Sequence, residues 1–178
     1  MNVIRNRTVV PDRWRHELSS LQELATADIA PGDVIVSLDR WIADWEALLA
    51  RGSQVGVRIA AGDDLETLIH CELHELWLVE IEFSTFAEGR GYSQARLLRT
   101  RHEFHGDLRA TGDVTRDRIA FMERCGFNCF VLREVGSLEG ALEAFDEIEG
   151  VYQPGADRGD ILARLRGYRR PRLVRSAA

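Results

Sequence analysis

The chain has 178 residues, of which 45% are hydrophobic and 29% are charged, and its formal net charge is −6. This composition is typical of one globular domain, and no apolar run approaches the roughly 20 residues that a membrane-spanning helix needs. A negative net charge also argues against general nucleic-acid binding, which depends on a basic surface.

The residue types restrict the chemistry further. All 23 basic residues are arginine, so the chain lacks the amine required for Schiff-base chemistry or a P-loop. Three cysteines are too few for a four-cysteine cluster, and His70 and His74 have no evident third partner, so we expect no cofactor and no metal bound by this chain. The start, MNVIRNRTVVPDRWRHE, has no apolar segment typical of a secretory signal, so we expect a cytoplasmic location.

In chain order, an N-terminal extension of about residues 1–30 predicts a hairpin or edge strand and a short helix. DVIVSL then predicts a strand, followed by the helix RWIADWEALLAR with Asp39 as its cap and Gly52 at its end. VGVRIAA predicts the next strand. The helix after it has Asp63 as its cap and Glu66 three residues later, which is the capping-box pattern.

The second half continues this alternation. The strand LWLVEIEF precedes EGRGYSQARLLRTR, in which Ser93 is placed to cap a helix that begins at Gln94. The strand GDLRATG precedes the helix DVTRDRIAFMERCG, which Gly126 ends. Finally, the strand FNCFVLRE precedes the helix SLEGALEAFDEIEG, between Ser137 and Gly150.

About five β-α units in series predict an α/β fold with a mainly parallel sheet. Five strands cannot close a TIM barrel, so we expect an open doubly wound sheet or a partial TIM-barrel-like sheet, which a homodimer could complete. We predict one α/β domain over residues 1–178 with an arginine-rich tail at about 151–178. The tail segment RLRGYRRPRLVR is expected to pack on the acidic stretch 134–149 or on a partner, and a nucleic-acid-binding arm is the less favoured alternative.

Charged residues occur in strands that a parallel sheet would bury. They are Arg58, Glu80, Glu82, Arg109 and Arg133. Glu80 and Glu82 point to one face because side chains alternate along a strand. One interpretation is a structural layer of ion pairs, since a buried carboxylate needs a counter-ion. The other is that some arginines stay free to hold a small oxyanion at the carboxyl ends of the strands.

The segment after the third predicted strand is a candidate for such an anion site or for a partner-binding site. Gly89 and Gly91 allow a close backbone approach or a positive φ, and Arg90 could close over an anion held at the start of the helix near Ser93. Gln94 stands where the third glycine of a dinucleotide fingerprint would be, so a nucleotide site is not favoured.

Two further sets of residues extend the candidate surface. Arg96 and Arg99, three apart on the following helix, are either solvated or paired with Glu82 and Asp113. In GDVTRD, Asp113 or Thr115 can cap the next helix, and Asp117 lies in its first turn, where a carboxylate complements the helix dipole. Capping is the simpler role for these carboxylates, and catalysis is the alternative.

The strings FAEGRGYSQARLLR and GDLRATGDVTRDRIAFMERCGF resemble the bacterial family called domain of unknown function 934. The likeness is close over about residues 77–132 and looser elsewhere. Members of this family are commonly labelled as oxidoreductases of sulfite reduction and are often encoded beside sulfite reductase. Mapped onto this sequence, the family pattern comprises Gly89, Arg90, Gly91, Ser93, Gln94, Arg96, Arg99, Arg109, Gly112, Asp113, Asp117, Cys125 and Gly126.

Two hypotheses follow, the first from the resemblance and the second from the charged residues of the strands. Six-electron reduction of sulfite needs a redox cofactor, so the first is an accessory protein of assimilatory sulfite reduction that acts with sulfite reductase, whose redox cofactors would belong to that partner. The second is an independent β-α enzyme acting on a small sulfur or phosphate oxyanion. In that enzyme Glu82 or Asp113 would be the base, and the clamp would consist of Arg58, Arg90 and Arg109.

Overall fold

The computed structural model describes residues 1–18, 25–60, 62–85, 89–133 and 138–147. Its strands are β1 (Asn2–Arg5), β2 (Thr8–Pro11), β3 (Arg15–Glu17), β4 (Val34–Ser37), β5 (Val55–Ile59), β6 (Leu78–Phe83), β7 (Asp107–Gly112) and β8 (Cys129–Phe130). Its α-helices are α1 (Leu38–Ala50), α2 (Leu65–Ile69), α3 (Arg90–Thr100), α4 (Ile119–Cys125) and α5 (Leu138–Leu142).

These eight strands form one sheet in the order β2-β1-β8-β7-β6-β5-β4-β3. The neighbours from β3 to β8 run parallel, whereas β1 is antiparallel to both β2 and β8. The fold is therefore mixed α/β with a mostly parallel sheet, as the sequence predicts. The sheet has eight strands rather than about five because the N-terminal extension supplies both a hairpin, β1–β2, and an edge strand, β3.

The connection between β2 and β3 explains the shape of the sheet. These strands lie at opposite edges, yet only residues 12–14 separate the end of β2 at Pro11 from the start of β3 at Arg15. Such a link reaches at most about 15 Å, whereas eight flat strands would hold their edges roughly 34 Å apart. The sheet must curl to bring its edges together, and it forms a half-barrel.

Strand β6 shows how the two faces of the sheet differ. Val79, Ile81 and Phe83 alternate toward the face that the helices cover, and none is more than 1% exposed. They belong to one apolar core with α1, α3 and α4. Glu80 and Glu82 point to the opposite face, where side chains from the β2–β3 link and from β3 also converge. We call this second surface the inner face.

Local sequence explains most helix boundaries, with two corrections. Ser37, not Asp39, caps α1, since its Oγ accepts the amide N–H of Arg40 at 3.3 Å. Asp64, not Asp63, caps α2. The predicted ends are confirmed: Gly52 follows α1 with φ of 72°, and Gly126 caps α4 with φ of 117°.

Several sequence-based predictions fall on residues outside the described ranges. These are the ends of the last helix at Ser137 and Gly150, the acidic stretch 134–137 and 148–149, and the arginine-rich tail 151–178. In the part of the chain that the structure does describe, no helix is both long enough and apolar enough to cross a bilayer.

Candidate functional site on the inner face of the sheet

Three charged side chains form a row across the inner face. The strand register aligns Arg58 of β5 with Glu80 of β6, and Glu80 with Arg109 of β7. Glu80 is 0% exposed and Arg109 is 1% exposed. Alternation of charge across three adjacent strands offsets the cost of burying these groups.

Asp12, from the link between β2 and β3, extends the row. Its carboxylate accepts two hydrogen bonds from Arg109, from Nη1 to Oδ1 at 3.1 Å and from Nη2 to Oδ2 at 2.6 Å. Arg109 Nε also lies 3.1 Å from Glu80 Oε2, which is an ion pair without an aligned hydrogen bond. Arg109 is therefore held between two carboxylates and is not available to clamp an external oxyanion.

His16 of β3 contacts the same buried carboxylate. Its Nε2 lies 2.9 Å from Glu80 Oε1 and 3.0 Å from Oε2. Arg58 Nε approaches Glu80 Oε1 at 4.0 Å. Glu80 thus gathers one histidine and two arginines from three other parts of the sheet.

The charges of this layer nearly cancel. The carboxylates of Asp12, Glu80 and Glu82 oppose the guanidinium groups of Arg58 and Arg109. This arrangement confirms the interpretation of a structural layer of ion pairs on the strands. A ligand could reach only the part of this ion-pair layer that borders solvent.

A pocket of about 290 Å³ opens there, at the carboxyl ends of β4, β5 and β6. Parallel α/β sheets bind ligands at this end of their strands. The pocket is lined by Leu18, Ser37, Leu38, Asp39, Arg58, Ala60, Asp63 and Glu82. Three carboxylates and one guanidinium give this lining a formal charge of −2, which favours a neutral or cationic ligand over an anion.

Arg58 is the predicted anion-binding arginine that does reach the pocket. Its Nη2 contacts the carboxylate of Glu82. The hydrogen bond to Glu82 raises the pKa of Arg58, and burial opposes this shift. Arg58 is therefore a fixed cation in the pocket, but its charge is already opposed by Glu82.

The segment 89–94 lies at the start of α3 and does not line this pocket. Because α3 begins at Arg90, the prediction that Ser93 caps a helix starting at Gln94 is wrong. Arg90 and Ser93 are exposed, whereas Gly91 and Gln94 are buried. A Cβ on Gly91 would lie 2.8 Å from the ring of Phe83, so this glycine allows the first turn of α3 to pack closely on β6.

Arg96 and Arg99 have separate environments. Arg99 is bound at the amino ends of β7 and β8 by four acceptors: the carbonyls of Phe104, Gly106 and Gly126 and the side-chain oxygen of Asn128. Burial lowers the pKa of Arg99 to about 10, so it stays charged at neutral pH. Arg96 is exposed. Of the two predicted alternatives, solvation holds for Arg96. Pairing with Glu82 or Asp113 is wrong for Arg99, because Arg99 faces the opposite end of the strands.

Asp113 follows β7 and is bound by two arginines. Its Oδ1 accepts from Arg133 at 2.7 Å, and Oδ2 accepts from Arg118 at 3.3 Å. Arg118 also donates from Nε to the hydroxyl of Tyr92 at 2.9 Å. These contacts give Asp113 a structural role in place of the predicted cap. Asp117 lies exposed in the 3-10 turn that precedes α4.

Sequence reasoning missed three residues of these clusters: Asp12, His16 and Arg118. Asp12 and His16 lie in the N-terminal extension, 97 and 64 residues from the partners they contact, and their sequence context indicates no special role. Arg118 resembles an ordinary helical arginine in sequence. Residues 12–16 reach the inner face because the sheet curls, and the sequence around them carries no signal of that curl.

Comparison with known proteins places β6, β7 and most of β5 within a described family. A family model for "Bacterial protein of unknown function (DUF934)" matches residues 56–162, which is more than half of the chain. The match includes Arg58, Glu80, Glu82 and Arg109 but begins after Asp12 and His16. No curated protein matches the chain.

Proposed function

We propose, from the premise that the chain belongs to the DUF934 family, that it is an accessory protein of assimilatory sulfite reduction in the cytoplasm. The resemblance described above implies a role beside sulfite reductase. The proposal places the redox cofactors on that partner, since six-electron chemistry needs such a cofactor and the chain has three cysteines. Under this proposal the chain assists the reductase as a bound subunit or a transient partner.

The distribution of arginines is the observation that supports this role over direct oxyanion chemistry. Arg58, Arg99 and Arg109 are bound by acceptors of the protein itself. In contrast, the sequence of α3 contains arginines but no acidic residue, and Arg96 is exposed on it. A helix with this charge is suited to contact an acidic surface of a partner.

The outer side of α3 also has an apolar neighbour. Phe121 of α4 is 51% exposed, and its ring centroid lies 5.1 Å from that of Tyr92 on α3. Tyr92 and Arg96 are four residues apart, so they project from one side of α3. Aromatic residues and arginine are both enriched in the centres of protein interfaces. We therefore propose that Arg96 and Phe121 contact sulfite reductase.

The direct test measures association of the purified chain with sulfite reductase by sedimentation velocity, which also reports self-association as a homodimer. Wild type is expected to bind the reductase. The variants Arg96→Glu and Phe121→Ala are each expected to bind it at least about 10-fold more weakly. The control Arg15→Glu, on β3, is expected to bind it as tightly as wild type. Reductase activity is compared with and without the chain. Absence of binding, together with normal growth of a deletion strain on sulfate, would reject the proposed function.

The second candidate is an independent enzyme acting on a small sulfur or phosphate oxyanion. The pocket at the carboxyl ends of β4–β6 supports it, because Arg58 and Glu82 lie on its wall and because partial barrels of the TIM type would bind substrates at this end. The lining charge of −2 disfavours it. Of the predicted clamp, Arg109 is paired internally and Arg90 lies on α3.

Calorimetric titration separates the two candidates. Sulfite, sulfate and phosphate are each titrated into wild type and into Arg58→Ala. Millimolar or tighter binding that is lost in Arg58→Ala would favour the enzyme. No binding, or equal binding by both proteins, would leave the accessory role as the better account.

A further inference from the structure

His16 and Glu80 form a pair that the proposed accessory role does not use. Glu80 is fully buried, whereas 37% of the His16 side chain is exposed. The ring nitrogen Nε2 lies within 3.0 Å of both carboxylate oxygens. An exposed imidazole oriented by a buried carboxylate is the arrangement that enzymes use for proton transfer.

The contact determines which ring nitrogen is available. A carboxylate only accepts hydrogen bonds, so the nitrogen beside it must carry a proton. In neutral His16 the hydrogen is therefore on Nε2, and the lone pair is on Nδ1. Within the described residues, Nδ1 makes no hydrogen bond, and it is thus free to meet a ligand.

Glu80 cannot easily turn away from His16. Arg109 Nε lies 3.1 Å from its Oε2, Arg58 Nε lies 4.0 Å from its Oε1, and Arg109 is in turn held by Asp12. The carboxylate is thereby fixed by groups from two neighbouring strands and from the β2–β3 link. Such an outer layer preserves the orientation of the imidazole.

The pair lies beside the pocket at the carboxyl ends of β4–β6. Arg58 lines that pocket and contacts Glu80, the residue that His16 contacts. Leu18, two residues after His16, also lines it. His16 and Glu80 do not line the pocket themselves, so a ligand would have to extend past Leu18 or Arg58 to reach the exposed edge of the imidazole.

We propose that His16 is a proton-transfer group, oriented by Glu80, for a small neutral or cationic molecule bound in this pocket. In the step, an N–H or O–H proton of that molecule moves to Nδ1, and the bonding pair stays on the molecule. The imidazolium that forms is stabilised by the carboxylate of Glu80. Water then takes the proton from Nδ1 and restores neutral His16.

The test uses diethyl pyrocarbonate, which acylates a free imidazole nitrogen, and peptide mass spectrometry gives the rate at each histidine. Exposed His70, His74 and His105 are internal controls in the same molecule. Because Glu80 stabilises the charge that develops on the ring, His16 is expected to react at least about 5-fold faster than these controls. Glu80→Gln is expected to remove the difference. Glu46→Gln, at an exposed position of α1 that does not line the pocket, is expected to preserve it. Equal rates in wild type would overturn the proposal.

A second measurement does not depend on the folding of a variant. Long-range proton–nitrogen NMR of wild type, recorded at a pH at which the ring is neutral, is expected to show the single proton of His16 on Nε2 and none on Nδ1. A proton on Nδ1 would overturn the proposal, because that nitrogen could not act as a base.

The class of ligand is tested with two molecules of the same shape. Acetamidinium is expected to slow the acylation of His16 in wild type, whereas acetate is not, because the pocket lining has a formal charge of −2. Protection by acetate alone, or by neither molecule, would overturn the assignment of a neutral or cationic ligand. These results do not depend on sulfite reductase, so they can fail while the accessory role stands.

Discussion

The guanidinium of Arg109 and the carboxylate of Asp12 are joined by two hydrogen bonds of 3.1 and 2.6 Å, although 97 residues separate them in the chain. This contact ties the β2–β3 link to the centre of the parallel sheet. It crosses the inner face, from the link that joins the two sheet edges to strand β7. The buried charge layer is therefore part of what keeps the sheet curled.

Replacement of Asp12 tests this role. Asp12→Ala leaves Arg109 buried with Glu80 as its remaining partner, and we expect the free energy of unfolding to fall by about 2–4 kcal/mol. Asp39→Ala is the control, because Asp39 is exposed and its change should stay within about 0.5 kcal/mol. Urea unfolding of both variants measures the difference. A loss for Asp12→Ala no larger than that for the control would show that the contact contributes little.

The packing of α3 on β6 predicts opposite outcomes for two neighbouring glycines. A Cβ on Gly91 would lie 2.8 Å from the buried ring of Phe83, whereas a Cβ on Gly89 would have nothing within 4 Å. We expect Gly91→Ala to lower the free energy of unfolding by about 1–3 kcal/mol through overpacking. Gly89→Ala should be nearly neutral. Thermal unfolding of the pair checks this, and similar melting temperatures would contradict it.

Arg99 and Arg96 provide a second matched pair on α3. Arg99 donates to four acceptors at the amino ends of β7 and β8, and its removal would leave buried carbonyls unsatisfied. Arg99→Ala should therefore cost about 3 kcal/mol or more, and Arg96→Ala within about 0.5 kcal/mol. Equal stability of the two variants in urea would show that water replaces Arg99.

Local sequence patterns predicted those strands and helix ends that depend on neighbouring residues in the chain. The apolar runs at Val55–Ile59 and Leu78–Phe83 form strands because their alternate residues face the core, and Gly52 and Gly126 end helices because they adopt positive φ. Ser93 was misassigned because serine is a favoured cap, while the start of α3 is determined by the contact between Gly91 and Phe83. That contact depends on tertiary packing.

The candidate site was predicted only in part for the same reason. Arg58, Glu80 and Arg109 were recognisable as charges within buried strands, and parallel pairing places them side by side. His16 was not recognisable, since its contact with Glu80 requires the N-terminal extension to add an edge strand to a curled sheet. Such contacts depend on how distant strands pair and how the sheet curls, and no local sequence pattern predicts this.

Cys129 gives a prediction that depends on pH. Burial is the main cause that raises the pKa of its thiol to about 12, from an ordinary value of 9.0. Above pH 9 the unfolded thiol loses its proton while the folded one keeps it, so the folded state binds more protons and stability falls as pH rises. Between pH 9 and 10, wild type should therefore lose up to about 1 kcal/mol more than Cys129→Ala.

Urea unfolding at several pH values measures these slopes, and alkylation gives an independent check. Iodoacetamide should label the partly exposed Cys71 and Cys125 of the native protein well before the buried Cys129, because a protonated thiol is a poor nucleophile. Identical pH slopes for wild type and Cys129→Ala, or early labelling of Cys129, would show that the thiol beside Arg109 ionises without unfolding. In that case water would reach the inner face of the sheet at Arg109, the neighbour of Cys129 in the strand register.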